Sequence, residues 1–268
     1  MSFCFMEKLS VFGVTIINTT MDLAKKKIFQ ILENGNIKYR IFFVNSHTAN
    51  LANLNISYKN DLNKAELVFG DGVGIRIATR LLTGVQLKDN INGTDLIPEI
   101  LKEDTAKKYK CFLLGAKESS IEKAANFFKK NFKNWELVGY HHGYIFNDVQ
   151  LNRTVVSKIN QSKADMLLVG MGNPLQEKWI TTHYALLNPK LLVGTGGLFT
   201  YWSGELTRAP VWFRKNDLEW LHILIKQPKK SKRYILGNLI FITRLLFLKA
   251  LISRKFFVNN TKQLLDGS

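Results

Sequence analysis

Cysteine is scarce in this chain: Cys4 and Cys111 are the two among 268 residues. Two cysteines give neither a disulfide framework nor metal-ligand spacing, so a reducing cytosol is the expected compartment. The opening MSFCFMEKLS lacks the basic and apolar regions of a secretory leader. No Gly-x-Gly-x-x-Gly follows the first strand-like run, which disfavours a dinucleotide enzyme, and no Gly-x4-Gly-Lys-Ser/Thr exists, which excludes a P-loop ATPase. Asp-x-Asp is also missing. Its nearest substitute, Asp217-Leu-Glu219, falls on an expected helix, where side chains two apart point ~200° away from each other. No metal site is evident. The longest apolar run, Ile235–Leu248, is too short for a bilayer span and contains Arg244. Internal repeats and low-complexity linkers are absent.

What is present describes a folded protein. Hydrophobic residues make up 46% and charged residues 22%, outside the disordered range. The length supports one full core, with room for an appendage. The net charge of +17 is unevenly placed: residues 206–268 hold thirteen of the 38 Lys and Arg and three of the 21 acids, a local +10. The division is therefore a core over residues 1–205 and a basic appendage over 206–268. Such an appendage suits an anionic partner: nucleic acid, phosphate or a membrane surface.

Strand and helix signals alternate through the core. Strands are expected at Val11–Thr19, Arg40–Asn45, Glu66–Phe69, Cys111–Leu114, Glu136–Tyr140, Asp165–Val169 and Lys190–Val193. Helices are expected from Thr20 as cap to about Asn34, from His47, over Val73–Leu82, from Thr94 as cap to Thr105, and over Ser119–Phe132, Val149–Asn160 and Glu177–Tyr184. This alternation predicts an α/β fold, a Rossmann-like, mostly parallel sheet with helices on both faces. Ligands of such sheets bind outside the strands' carboxyl ends. Asn45, His47, Asp71, Gly115, His141, His142, Gly172–Gln176 and Thr195–Gly197 fall there, where glycines admit a ligand to the backbone and helix N-termini favour phosphate. A nucleotide or diphosphate is the expected ligand. With no metal, chemistry rests on a lone acid. Asp71, between two glycines at a strand end, is placed to act as a general base towards a hydroxyl or to cap the following helix. His141 and His142 are adjacent on a strand and should point to opposite faces, so at most one meets a substrate.

Phe69-Gly-Asp-Gly-Val-Gly-Ile75, Asn92-Gly-Thr-Asp-Leu96, Val138-Gly-Tyr-His-His-Gly-Tyr144, Gly170-Met-Gly-Asn-Pro-Leu-Gln-Glu-Lys-Trp179 and Gly194-Thr-Gly-Gly-Leu-Phe199 with Arg208-Ala-Pro210 resemble, in order, the motifs of the WecG/TagA/CpsF glycosyltransferases. The resemblance covers about Val11 to Gly237. It implies an inverting glycosyltransferase that moves a sugar, typically N-acetylmannosamine or its uronic acid, from a UDP-sugar to a polyprenyl-diphosphate-linked sugar at the cytoplasmic membrane face. By resemblance Asp71 is the base and Gln176 handles donor or acceptor sugar. Asn45, Asn92, Asp95, Gly115, Gly170, Gly172, Asn173, Glu177 and Gly196 line the substrate site, and Arg208, Arg214 and Arg233 reach the acceptor diphosphate. The resemblance also implies metal independence, with no cofactor, and self-association into a homo-oligomer. Four positions depart from the family pattern: Phe43 for threonine, Asn90 for arginine, Thr200 for aspartate, and a glycine-poor loop at Gly115-Ala-Lys-Glu-Ser. They lie on the substrate side, so the donor sugar does not carry over.

The appendage reads as a helix over Pro210–Ile225, with Trp212 and Trp220 packing, then a second helix after Pro228. Arg233, Arg244 and Lys255, eleven apart, should form one basic stripe, and Ile235, Leu239, Ile242 and Leu246 an apolar one. That pairing suits a helix lying in an anionic membrane interface, placing the protein on the inner face of the cytoplasmic membrane. The alternatives are a helix packed on its own core, a nucleic-acid-binding tail, which the interleaved aliphatics disfavour, and a non-catalytic sugar-nucleotide-binding homologue.

Overall fold

The computed structural model describes residues 7–34, 37–146, 148–210, 212–213 and 228–265. Eight strands form one sheet: β1 (Glu7–Val11), β2 (Val14–Asn18), β3 (Tyr39–Val44), β4 (Leu67–Gly70), β5 (Tyr109–Gly115), β6 (Trp135–His141), β7 (Met166–Gly170) and β8 (Leu191–Gly194). Their order is β1-β2-β4-β3-β8-β7-β5-β6, parallel throughout except for the β1–β2 pair. The two halves of the sheet meet at β3 and β8, which is where a doubly wound sheet opens its ligand crevice. The expected α/β class holds.

Ten helices are described: α1 (Met21–Asn34), α2 (Ser46–Leu54), α3 (Ile56–Asn63), α4 (Val73–Thr83), α5 (Gly93–Lys102), α6 (Glu118–Asn131), α7 (Val149–Gln161), α8 (Leu175–His183), α9 (Leu198–Trp202) and α10 (Pro228–Leu265). Alternate strand residues feed two cores. Phe42, Val44, Val68, Leu114, Val169 and Leu192 face α2, α3, α4, α7, α8 and α10. Ile41, Phe43, Phe69, Leu113, Leu168 and Val193 face α1, α5, α6 and α9. The strand interiors are therefore apolar on both faces, the signature of a covered parallel sheet.

Three expectations for the core change. The strand expected over Val11–Thr19 is the second arm of a hairpin, with Val11 opposite Val14. The turn residues Phe12 (φ 51) and Gly13 (φ 80) both take the positive φ that tight hairpins need. Asn92, not Thr94, caps α5: its Oδ1 accepts the Asp95 N–H at 2.9 Å and the Thr94 hydroxyl at 2.7 Å. The helices α3, capped by Asn55, and α9 are additional elements.

α10 docks on the fold. Phe241 and Leu245 are 2% exposed and join the core beside α2 and α4. Phe241 meets Phe12 edge to face at 5.3 Å. Asn50 of α2 donates to the Gly237 carbonyl at 2.7 Å, and Arg244 donates to Asn50 Oδ1 at 3.1 Å. Arg244 therefore faces the fold and is no member of an open basic stripe. The opposite face carries exposed Ile235, Leu236, Leu239, Leu246 and Phe247. Ile235–Ser253 is 19 residues with mean hydropathy 2.0, long and apolar enough to cross a membrane by length and composition, which revises the shorter count from sequence. Trp212, expected to pack, is exposed with its ring against Phe213. Trp220, Arg214 and the helix expected over Pro210–Ile225 beyond Phe213 lie outside the described residues, as do the side chains of Arg233 and Lys255.

Candidate active site

The crevice forms where β3, β4, β7 and β8 end. β4 delivers Asp71, half-buried, whose N–H donates to the Val44 carbonyl of β3 at 2.9 Å. Asn45, the residue after β3, caps α2: its Oδ1 accepts from the Thr48 N–H and hydroxyl, each at 3.0 Å. Its Nδ2 points at Asp71 Oδ2 at 3.4 Å, a long hydrogen bond that aims the carboxylate. Asp71 does not cap α4. Gly72 occupies the cap position and makes no side-chain cap bond. The carboxylate is thus left at the crevice while the backbone turns away into the helix.

Asn90 accepts the Gly72 N–H at 2.7 Å, and Ile91 N–H donates to the Gly70 carbonyl at 3.1 Å. These contacts bring the segment ending in Asn92 alongside the Asp71 turn. Asn92 Nδ2 donates to Asp95 Oδ2 at 2.8 Å, Arg208 pairs with Asp95 at 3.0 Å, and Arg208 also donates to the Thr94 carbonyl at 2.7 Å. Asn92, Asp95 and Arg208 are one cluster at the start of α5. Phe43 lies under Gly93 and beside Phe69.

Across the crevice β5 and β7 end in Gly115 and Gly170, and Gly143, two residues beyond the end of β6, is pressed against them. Gly115 has φ +148, and a Cβ there would stand 2.4 Å from the Gly170 carbonyl oxygen. A Cβ on Gly143 would meet the Gly115 Cα at 2.9 Å. Only glycine fits at Gly115 and Gly143, and the three segments pack backbone to backbone into a floor at the strand ends. Gly172 and Gly196 sit in the loops above with positive φ and open space around them.

Gln176 and Glu177 stand apart from the expected substrate contacts. Gln176 is 2% exposed and Glu177 0%. Gln176 Oε1 accepts the Gly196 N–H at 3.0 Å, its Nε2 donates to Glu177 Oε1 at 2.8 Å, and Asn173 Nδ2 donates to the same oxygen. Both side chains hold loops from inside. Burial pushes the Glu177 carboxyl up to about 7 against four hydrogen bonds that favour its charge, from Gln176, its own backbone N–H, Asn173 and Tyr58. His141 and His142 differ from expectation too. β6 ends at His141, so the rings lie against each other at 4.3 Å, and His141 Nδ1 bonds the His142 carbonyl. Burial lowers the His141 pKa.

A separate groove of about 630 Å³ between α7 and α8, lined by Val156, Trp179 and Leu186 among others, includes neither Asp71 nor its neighbours. What the sequence did not single out is Tyr58, 3% exposed on α3, whose hydroxyl lies in reach of Glu177, Asn173 and Thr48. An aromatic on a short, unforecast helix carries no periodic signal that would have marked it.

The profile of the glycosyl transferase WecG/TagA/CpsF family matches residues 9–255, a span that includes most of α10. An N-acetylglucosaminyldiphosphoundecaprenol N-acetyl-beta-D-mannosaminyltransferase of Staphylococcus aureus strain MW2 is 33% identical over 238 residues, 84% of this chain and 87% of the relative. The protein of that name from strain NCTC 8325 / PS 47 is 34% identical over 227 residues, 80% and 83% of the two chains. With the ordered motifs assembled around one crevice and the match spanning nearly the whole chain, this protein belongs to the WecG/TagA/CpsF glycosyl transferase family.

Proposed function

We propose that this chain is an inverting glycosyltransferase that moves an N-acetylmannosamine-type sugar from a UDP-sugar to a polyprenyl-diphosphate-linked N-acetylglucosamine, in bacterial envelope polysaccharide assembly. The observation that carries the reading is a carboxylate, Asp71, aimed by Asn45 at the switch point of the sheet in a chain of this family. Asp71 takes the proton of the acceptor hydroxyl as its oxygen attacks the anomeric carbon. The bond to UDP breaks on the opposite side, and UDP leaves with the electron pair. The Gly115–Gly143–Gly170 floor and the N-terminus of α8 face the growing diphosphate charge in place of a metal. Arg208, anchored on Asp95, supplies a fixed cation near the α5 start.

The exposed apolar face of α10, with the basic residues of the appendage, suits attachment to the anionic inner face of the cytoplasmic membrane, where a polyprenyl acceptor resides. That apolar face disfavours the nucleic-acid reading. Self-association is part of the proposal, its subunit number open to sedimentation.

The test is a donor screen with EDTA present, using purified protein, a short-chain polyprenyl-diphosphate N-acetylglucosamine and a panel of UDP-sugars, with UDP release and product mass as readouts. Transfer from one donor despite the chelator supports the reading. Asp71→Asn should cut transfer by at least ~100-fold with UDP binding kept. A variant that still transfers removes Asp71 from the mechanism, and a wild type that binds UDP without transferring favours the non-catalytic homologue.

A further inference from the structure

Beneath the crevice lies a buried polar cluster that proton transfer by Asp71 leaves without a task. Glu177, in the first turn of α8, binds Asn173 of the β7–α8 loop directly and Gly196 of the β8–α9 loop through Gln176. From the other side α3 brings the Tyr58 hydroxyl up to the same carboxyl. Thr48, also in reach of Tyr58, donates to Asn45, which aims Asp71. Tyr58 Oη and Glu177 Oε2 are both buried, and neither is in an aligned hydrogen bond among the described residues. A donor and an acceptor stand side by side with one proton position to settle between them.

We propose that Glu177 is the positioning residue of the transfer site and works as a neutral acid, its carbonyl oxygen taking the amides of Asn173 and Gln176 and its hydroxyl donating to Tyr58. Its effect on rate rests on the transferase reading above; its effect on the loops does not. The surroundings support the neutral form. β7 and β8 carry no ionisable residue, and the charge on β3, Arg40, lies at the far end of that strand, bonded to Glu66 at 2.7 Å. On α3, Lys59 lies along Gly13 and Asp61 faces Lys64. On α2, His47 precedes Thr48 in the first turn. On α8 itself, Lys178 is exposed over the Phe146 ring and His183 stacks on Trp179 a turn and a half away. The start of α8 favours a negative charge, but a carboxylate fully enclosed among neutral donors is costly. Its relief is water entering the first turn of α8. That frees Asn173 and Gln176, and with Gln176 the Gly196 loop.

Glu177→Gln copies the neutral acid, keeping the carbonyl and placing an N–H where the acid proton was. The first arm needs no substrate: amide hydrogen exchange of the Gly194–Leu198 segment in wild type and E177Q from pH 5.5 to 8.5. Protection should fall with pH in the wild type beyond what E177Q shows. In the second arm, wild-type kcat for transfer should fall about tenfold per pH unit beyond an alkaline break. E177Q should keep kcat and lack that limb. E177A should lose at least tenfold in kcat, with a smaller change in KM for the UDP-sugar. Tyr58→Phe, which removes the acceptor of the acid proton, should move the break. Parallel exchange and rate profiles for wild type and E177Q overturn the proposal, and so does a folded E177A with unchanged kcat. If E177A does not fold, E177Q and Y58F decide. If the wild type transfers no sugar, the transferase reading fails while the exchange arm still decides the role of Glu177.

Discussion

Glu177 makes a quantitative prediction about stability. Its carboxyl is fully enclosed and pushed from the ordinary 4.5 up to about 7. Between those two values the unfolded chain has lost the Glu177 proton and the folded protein keeps it, so raising the pH favours unfolding. A shift of about 2.5 units at 1.36 kcal/mol each is roughly 3 kcal/mol. This stabilisation is complete below pH 4.5, is lost as pH rises to about 7, and changes no further above that. Other groups titrate over the same range, so the useful quantity is the difference between wild type and E177Q, which shares every other group. Urea unfolding at pH 4.5, 5.5, 6.5, 7.5 and 8.5 should give curves whose difference moves by roughly 3 kcal/mol in favour of E177Q over the first three steps, then levels. A difference that stays constant with pH, or one that grows in favour of wild type, refutes the claim that Glu177 is held neutral by burial.

Other perturbations test other parts of the fold. Gly115→Ala places a methyl 2.4 Å from the Gly170 carbonyl oxygen and should weaken UDP binding by at least about tenfold, read by calorimetry. Asn45→Ala removes the cap of α2 and should cost about 1 kcal/mol in urea unfolding, with a larger proportional loss of kcat than of UDP affinity because Asp71 loses its aiming contact. Phe241→Ala empties a site that is 2% exposed and should cost about 3 kcal/mol. Changing Leu239, Leu246 and Phe247 together to serine should leave urea stability unchanged and abolish sedimentation with anionic vesicles. In a Cys4→Ser background, burial of Cys111 and its raised pKa predict no reaction with a thiol reagent until the protein unfolds.

The α/β alternation was readable because buried parallel strands leave short apolar runs, and Cys111–Gly115 of β5, all of β7 and all of β8 are such runs. The β1–β2 hairpin was hidden because its turn is Phe12-Gly13, with an aromatic at a positive-φ position that composition rules reserve for asparagine or glycine. α3 was hidden because its stretch, Ile-Ser-Tyr-Lys-Asn-Asp-Leu-Asn, buries two side chains, Tyr58 and Leu62, too few for a helical period. The site divided along the same line. Asp71, Asn45 and the glycine floor were legible because strand ends dictate where they point. The inward turn of Gln176 and Glu177 was not, because Pro-x-Gln-Glu looks like an exposed polar loop until the Gly196 N–H and the Asn173 amide are seen folded over it.

The appendage and the crevice are mechanically linked. α10 lies on α2 and α4 through Phe241, Leu245, Arg244 and Asn50. α2 begins at Asn45 and α4 just after Asp71, so the two helices that carry α10 are the two that hold Asp71, the proposed base, and Asn45 beside it. Phe241 also reaches the α4 glycine Gly74, three residues beyond Asp71. In the proposed attachment, a surface that holds the outer face of α10 orients the Asp71 crevice through these packed helices. In the proposed reaction that linkage meets a geometric need: the acceptor diphosphate is tethered at the bilayer by its polyprenyl chain, while the UDP-sugar arrives from water. Arg244 supports this arrangement because its guanidinium is turned inward to Asn50, leaving the outer face of α10 without that charge and open to an apolar phase.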